Sequence, residues 1–121
     1  MEKNECKNNL ENIVKKYSDT IIFEFYSSNI ICFIYYKKEK CVIYFDKNGE
    51  MIYKGQFNIK KKMFDGYGFL YLDDEIYKGN FKNNKKHGKG ILKIKKSQIE
   101  FHAIWNHDKI INIEKELYLK I

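Results

Sequence analysis

The stretch that decides the fold is Tyr53-Lys54-Gly55-Gln56-Phe57, which recurs downstream as Tyr77-Lys78-Gly79-Asn80-Phe81. A degraded third copy reads Phe101-His102-Ala103-Ile104-Trp105. A second element, Gly-x-Gly followed by alternating apolar residues, comes after the first two copies at Gly66-Tyr67-Gly68 and Gly88-Lys89-Gly90. The copies begin 24 residues apart, and a repeat of this length is typical of stacked arrays. Such arrays display a regular surface and usually bind rather than catalyse.

The order of residues within each copy predicts a β-strand with one aromatic face. Alternate side chains of a strand share a face, so Tyr77, Gly79 and Phe81 lie together, as do their counterparts in the first copy. Two rings that flank a glycine leave a notch, which a ring from an adjacent hairpin can cover. A chance run of ordinary hairpins would explain the alternation but not the repeated motif, so we interpret the glycines as packing positions.

Length and composition predict one mostly β globular domain over residues 1–121. The chain has 121 residues, of which 44% are hydrophobic and 17% aromatic, and it contains no proline. A net charge of +7 favours acidic partners. The three cysteines form no paired spacing and leave an odd count, which favours reduced thiols. The N-terminus has no apolar run, so we expect an intracellular protein.

Four segments follow one another along the chain. An apolar stripe predicts a short N-terminal α-helix over residues 8–18. Short β-rich runs separated by turn residues then predict a sheet extension over residues 20–52, and the repeats continue this antiparallel meander of hairpins over residues 53–112. Residues 113–121 are expected to form a C-terminal cap. The pattern in this last part of the chain suits a strand and a short helix equally well.

At these residues the chain resembles the MORN family, named for the membrane occupation and recognition nexus repeat. MORN units open with Tyr-x-Gly-x-Phe/Trp and continue with Gly-x-Gly, and the second copy fits this pattern best. Asn84 stands where the family often has another glycine, and asparagine tolerates left-handed backbone geometry. The third copy lacks Gly-x-Gly and looks like a terminal capping repeat. The residues that define the repeats are Tyr53, Gly55, Phe57, Gly66, Gly68, Tyr77, Gly79, Phe81, Gly88, Gly90, Phe101 and Trp105.

The resemblance implies a single-layer, groove-shaped sheet that serves as a non-catalytic scaffold. Members of the family bind protein partners or associate with acidic lipid surfaces, which implies an intracellular protein that is cytoplasmic or associated with the cytoskeleton or a membrane. The sequence predicts no enzyme, because no nucleophile, base and orienting group form a recognisable set. It also predicts no cofactor and no metal, since His87, His102 and His107 lack the spacing of a metal motif.

Lysines at the hairpin tips suggest a binding edge. They recur in register with the repeat, and the candidate residues are Lys60, Lys61, Lys62, Lys85, Lys86 and Lys109. Such an edge would attract an acidic protein segment or an acidic phospholipid membrane. The alternative is that hairpin tips are charged simply because they are solvated.

Two other kinds of partner rank lower or stay open. Nucleic acid ranks last, although Tyr67, Phe69 and Tyr71 are expected to face outward and could stack on bases. A second copy of the chain could close an unpaired sheet edge, so homo-oligomerisation stays open.

Overall fold

The computed structural model of the chain describes residues 21–26, 31–46 and 48–119. The helix predicted over residues 8–18 lies outside these residues, as do the last residues of the predicted cap. The described part contains the strands β1 (Ile21–Tyr26), β2 (Ile31–Tyr36), β3 (Cys41–Phe45), β4 (Met51–Asn58), β5 (Met63–Tyr71), β6 (Glu75–Lys82), β7 (Lys85–Ile94), β8 (Ile99–Asn106) and β9 (Lys109–Tyr118).

Every described pairing is antiparallel and joins strands that follow one another in the chain. The predicted mostly β meander of hairpins is therefore confirmed. The chain divides into two compact units, Met1–Lys54 and Gly55–Ile121. That the whole chain forms a single domain stays a prediction. The groove shape of the sheet also stays a prediction.

The first unit contains β1, β2 and β3. In β2 and β3, Tyr35 lies opposite Val42 and Ile34 lies opposite Ile43. Ile34, Tyr35 and Val42 are all buried. These β-branched and aromatic residues suit a pleated surface that is covered by other side chains.

The second unit has a line of small residues across four strands. Gly68 of β5 lies opposite Gly79 of β6, Gly79 lies opposite Gly90 of β7, and Gly90 lies opposite Ala103 of β8. All four are buried. The face that carries this line also carries the side chains of Tyr77, Phe81, Phe101 and Trp105, and we call it the repeat face. The other side of the same strands is the opposite face.

Two hairpin tips in the second unit share one turn geometry. Asn83-Asn84 connects β6 to β7 and His107-Asp108 connects β8 to β9, and all four residues have positive φ, between 49° and 71°. Positive φ at both central residues defines a two-residue type I′ turn, which matches the twist of the flanking strands. The expectation that Asn84 takes left-handed geometry in place of glycine is confirmed.

The chain segment after the third copy, for which a strand and a helix fitted equally well, is the strand β9. Its pairing with β8 shifts register twice, between His102 and Ala103 and between Ile104 and Trp105. Such bulges twist an edge strand and break its regular hydrogen-bonding pattern. Ile111, at 63% exposure, is among the most exposed apolar residues of the described chain. This strand therefore ends the array with its apolar side chains largely exposed.

Candidate functional site

The repeat aromatics form the core and are not a binding surface. Tyr53 and Tyr77 are almost fully buried, and Phe57, Phe81 and Trp105 are buried to nearly the same extent. In β6 burial alternates strictly, with Tyr77, Gly79 and Phe81 buried and the residues between them exposed. The predicted sharing of one face by these three residues is thus confirmed. Phe101 is half-buried, as are Gly55, Gly66 and Gly88.

Tyr77 is the centre of the aromatic packing in the second unit. Its ring packs edge-on against Phe81, with centroids 5.0 Å apart, and against Trp105, with centroids 5.4 Å apart. The Tyr77 hydroxyl donates a hydrogen bond of 2.9 Å to the Asn80 carbonyl oxygen. Burial, with a smaller contribution from the negative charge of Asp108, raises the pKa of Tyr77 to about 12. A phenol held in this way stays neutral and acts as a packing group.

The glycines of the second copy leave room that a side chain would fill. A Cβ at Gly79 would lie 2.6 Å from the Lys89 carbonyl oxygen and 2.8 Å from the Tyr77 hydroxyl, and it would overlap the Gly90 Cα. A Cβ at Gly90 would overlap the ring of Tyr77 itself. The ring therefore comes from the same repeat and covers Gly90 of the Gly-x-Gly element, whereas the sequence places the notch at Gly79 and expects a ring from an adjacent hairpin to cover it.

Hydrogen bonds between consecutive hairpins bring the lysine-bearing tips to one end of the second unit. Asn84 bridges to Phe64 through two hydrogen bonds, from Asn84 N to the Phe64 carbonyl at 3.0 Å and from Phe64 N to Asn84 Oδ1 at 2.7 Å. Asp108 bridges to Lys86 in the same way, at 2.9 and 2.8 Å. The exposed lysines at these tips are Lys60, Lys61, Lys62, Lys85 and Lys109.

Lys86 differs from the other lysines of the predicted edge. Its ammonium nitrogen lies 5.5 Å from the centroid of the Tyr77 ring and 5.6 Å from that of the Trp105 ring. Both distances fall within the range of a cation–π interaction. Lys86 is half-buried and lies opposite Phe81, so its side chain belongs to the repeat face. The sequence carried the signal for this placement, because Lys86 has the same parity as Gly88 and Gly90.

The opposite face of β6 and β7 carries a block of two isoleucines and two lysines. Ile76 lies opposite Lys93, and Lys78 lies opposite Ile91. The isoleucines therefore occupy one diagonal of the block and the lysines occupy the other. A half-open depression of about 310 Å³ lies here, lined by Phe69, Tyr71, Ile76, Lys78, Ile91, Lys93 and Glu100. Sequence reasoning did not find this block, because it depends on the strand register that pairs Gly79 with Gly90.

The histidines fall into two separate places. The rings of His87 and His107 lie with centroids 5.1 Å apart, near the tip between β8 and β9. His102 Nε2 lies 2.9 Å from Glu100 Oε1 on the opposite face. Within the described residues, no three side chains of the types that bind metals come together as a metal site.

One comparison with known proteins bears on these residues. Residues 77–96 match the MORN repeat. The match begins at Tyr77 and includes Gly79, Phe81, Gly88 and Gly90, which are the motif residues of the second copy. The resemblance to the MORN family is confirmed over this repeat. A comparison with curated proteins finds no significant match.

The MORN repeat therefore coincides with the buried ring and glycines of β6 and β7. Its other residues supply the exposed side chains of the opposite face and the tip at Asn84. In the described part of the chain, no helix has the length and apolar character that a membrane span requires.

Proposed function

We propose that this chain is a non-catalytic scaffold of MORN-repeat type that binds a protein partner in an intracellular assembly. The observation that supports the proposal is the alternation of buried and exposed residues in the repeat strand β6. In β6 the motif residues Tyr77, Gly79 and Phe81 are buried, while Lys78, Asn80 and Lys82 are exposed. The motif thus maintains the fold, and the residues between motif positions are free to vary with the partner.

The proposal is tested by capturing partners with the full chain and then measuring affinity with the purified proteins. We expect a saturable complex of defined stoichiometry by light scattering. We also expect its affinity to fall when exposed residues of one of the repeat strands are changed and to survive substitutions at turns outside that binding surface. If no protein is enriched relative to a control bait of equal charge, the scaffold proposal is contradicted.

A second function, binding of acidic phospholipids, is favoured by the lysine tips. Lys61, Lys85 and Lys109 are exposed, and the hydrogen bonds of Asn84 and Asp108 hold successive tips side by side. A row of lysines near an anionic surface contributes about 1 kcal/mol per residue to membrane binding. A peripheral membrane module that uses this edge is therefore the alternative to a protein scaffold.

Sedimentation with vesicles separates the two functions. Lipid binding predicts that the chain sediments with phosphatidylserine vesicles and not with phosphatidylcholine vesicles. It also predicts that the triple variant Lys61→Glu, Lys85→Glu, Lys109→Glu stays in the supernatant. The matched control reverses three other exposed lysines: Lys54 and Lys89, which lie within strands, and Lys96, which lies in the turn between β7 and β8 at the other end of β7 from Lys85. If both triple variants lose vesicle binding equally, net charge alone is responsible for the binding and the lysine edge is not a specific site.

A further inference from the structure

We propose that the diagonal block of Ile76, Lys78, Ile91 and Lys93 binds an acidic segment of the protein partner. A carboxylate of that segment lies between the two lysines, and a neighbouring apolar side chain packs on the two isoleucines. This inference rests on the proposed scaffold function, and it adds the site and the chemistry of the partner.

The strand register places all four side chains on one patch of sheet. Directly opposite residues of an antiparallel pair have Cβ atoms about 5 Å apart, and diagonal neighbours are about 7 Å apart. Lys78 and Lys93 are diagonal neighbours in this sense, since Lys78 pairs with Ile91 and Lys93 pairs with Ile76. From Cβ atoms at this separation, the long lysine side chains can bring both ammonium groups to one carboxylate.

The charges around the block leave both lysines available. Within the described residues, neither Lys78 nor Lys93 has an ion pair. Glu100 lies directly opposite Lys93 in β8, but its carboxylate pairs with the ring of His102 at 2.9 Å. Like charges in close proximity on a sheet surface repel each other. A bound carboxylate would relieve that repulsion, so the block favours an anionic group from outside.

The apolar half of the block has a shape that suits one or two side chains. Ile76 and Ile91 are half-buried and form part of the depression, with Phe69 and Tyr71 on the β5 side. Its volume of about 310 Å³ is at the small end of the range for ligand pockets. An aliphatic or aromatic side chain beside the carboxylate would cover these isoleucines and remove their apolar surface from water.

A protein segment fits this patch better than a single-stranded nucleic acid. Nucleic acids without sequence preference stack their bases on open aromatic faces. Here the rings of Tyr67 and Phe69 pack edge-to-face against each other, with centroids 5.7 Å apart, and the depression contains the aliphatic side chains of two isoleucines.

The test uses the full chain and fluorescein-labelled peptides in a polarisation assay at low salt. The probe is a short peptide in which glutamates flank one leucine. In one control peptide glutamine replaces glutamate, and in another serine replaces leucine. We expect the probe to bind and both controls to bind more weakly. An oligothymidylate of similar length is the nucleic-acid arm.

Variants of the chain locate the site. The double variant Lys78→Glu, Lys93→Glu should lose about tenfold or more in affinity for the probe, because two attractions become repulsions. The matched control, Lys82→Glu with Lys96→Glu, reverses two exposed lysines outside the depression and should change the affinity by less than about threefold. Ile91→Ser should weaken binding of the probe peptide. Ile111→Ser, at an exposed isoleucine of β9, should leave that binding unchanged.

Three results would overturn the inference. The first is an equal loss of affinity for the probe peptide in the two double variants, and the second is unchanged binding of the probe by Ile91→Ser. The third is that the chain binds the oligothymidylate more tightly than the probe and that this binding depends on Lys78 and Lys93 in the same way. A failure of this inference can be distinguished from a failure of the proposed scaffold function. If a captured partner binds the Lys78→Glu, Lys93→Glu variant as tightly as it binds the wild type, the scaffold proposal stands and only this site is wrong.

Discussion

The ring of Tyr77 lies over Gly90 of the neighbouring strand, in the space that a side chain at position 90 would occupy. The same ring contacts Trp105, whose indole nitrogen donates a hydrogen bond of 3.4 Å to the Gly90 carbonyl oxygen. One glycine thus makes room for a ring from β6 and accepts a hydrogen bond from an indole of β8. Tyrosine and glycine in this repeat act as one packing unit.

The first prediction compares one substitution at two glycines of the same motif. Gly90→Asn should destabilise the fold by at least about 3 kcal/mol, because its side chain would displace the Tyr77 ring and bury an amide. Gly88 has a φ of +82°, and a Cβ there would be 3.7 Å from the Asn80 Cβ, an ordinary contact. Because asparagine tolerates left-handed geometry, Gly88→Asn should cost about 1 kcal/mol or less. Urea unfolding measures both, and equal costs would contradict the assignment of Gly90 to packing.

The second prediction concerns the cation over the aromatic core. Lys86→Met keeps the apolar stem but removes the charge near Tyr77 and Trp105, and it should destabilise the fold by about 0.5 to 1 kcal/mol. Lys86→Glu should cost more, since it brings a negative charge to the negative faces of the rings. The control is Lys85→Met at the exposed neighbour, where we expect a change within about 0.5 kcal/mol. If Lys85→Met and Lys86→Met have the same melting temperature, Lys86 is only a solvated tip residue.

The third prediction concerns the bridge between consecutive hairpins. Asp108 has a φ of 71°, and its carboxylate accepts a hydrogen bond of 2.8 Å from Lys86 N. Asp108→Asn keeps both features and should be nearly neutral, as the natural Asn84 at the equivalent tip indicates. Asp108→Gly keeps the turn but loses the side-chain hydrogen bond, and Asp108→Ala loses that bond and is also strained at positive φ. We therefore expect thermal stability to fall in the order Asn, Gly, Ala, with Asp108→Ala costing about 2 kcal/mol. An alanine variant as stable as the asparagine variant would rule out this role.

The fourth prediction is an alkaline loss of stability that depends on Tyr77. The pKa of Tyr77 is raised from 10.0 to about 12 in the folded chain. Below pH 10 the phenol is protonated in both the folded and the unfolded state, so it contributes no pH dependence. As the pH rises from about 10 to about 12 the unfolded state loses the proton first, and stability should fall by on the order of 2 to 3 kcal/mol.

Tyr77→Phe separates this effect from the ionisation of lysines in the same range. The variant should be less stable at neutral pH by about 1 kcal/mol, because it loses the hydrogen bond to Asn80. Its alkaline decline should nevertheless be shallower than that of the wild type. Tyr67→Phe, which removes an exposed phenol, is the control. Parallel alkaline declines in the wild type and Tyr77→Phe would contradict the burial of an ionisable Tyr77.

The sequence predicted the strands well where a motif and its alternation agreed. Tyr77, Gly79 and Phe81 share a buried face because a strand repeats every two residues, and no tertiary information was needed for that prediction. Asn84 was correctly assigned left-handed geometry, since its side chain tolerates positive φ. The segment that became β9 was ambiguous because its register shifts twice against β8, and a bulge interrupts the alternation from which a strand is recognised.

The candidate sites were less predictable, because they depend on register and on the direction of long side chains. Lys86 was grouped with the tip lysines by its position in the chain, although parity places it with Gly88 and Gly90. The block around Lys78 and Lys93 joins residues of two strands, and only the pairing of Gly79 with Gly90 brings them together. Periodicity in one strand gives the face of a residue but not its neighbours across the sheet.

The central claim is that the repeat face maintains the fold and the opposite face binds. Methyl NMR tests it most directly, because Leu70 and Leu92 flank Tyr77 on the repeat face, whereas Ile76 and Ile91 lie on the opposite face. On addition of the acidic leucine peptide, we predict saturable shifts of the Ile76 and Ile91 methyl signals and little change at Leu70 and Leu92. Shifts confined to the two leucines, with Ile76 and Ile91 unchanged, would contradict the claim.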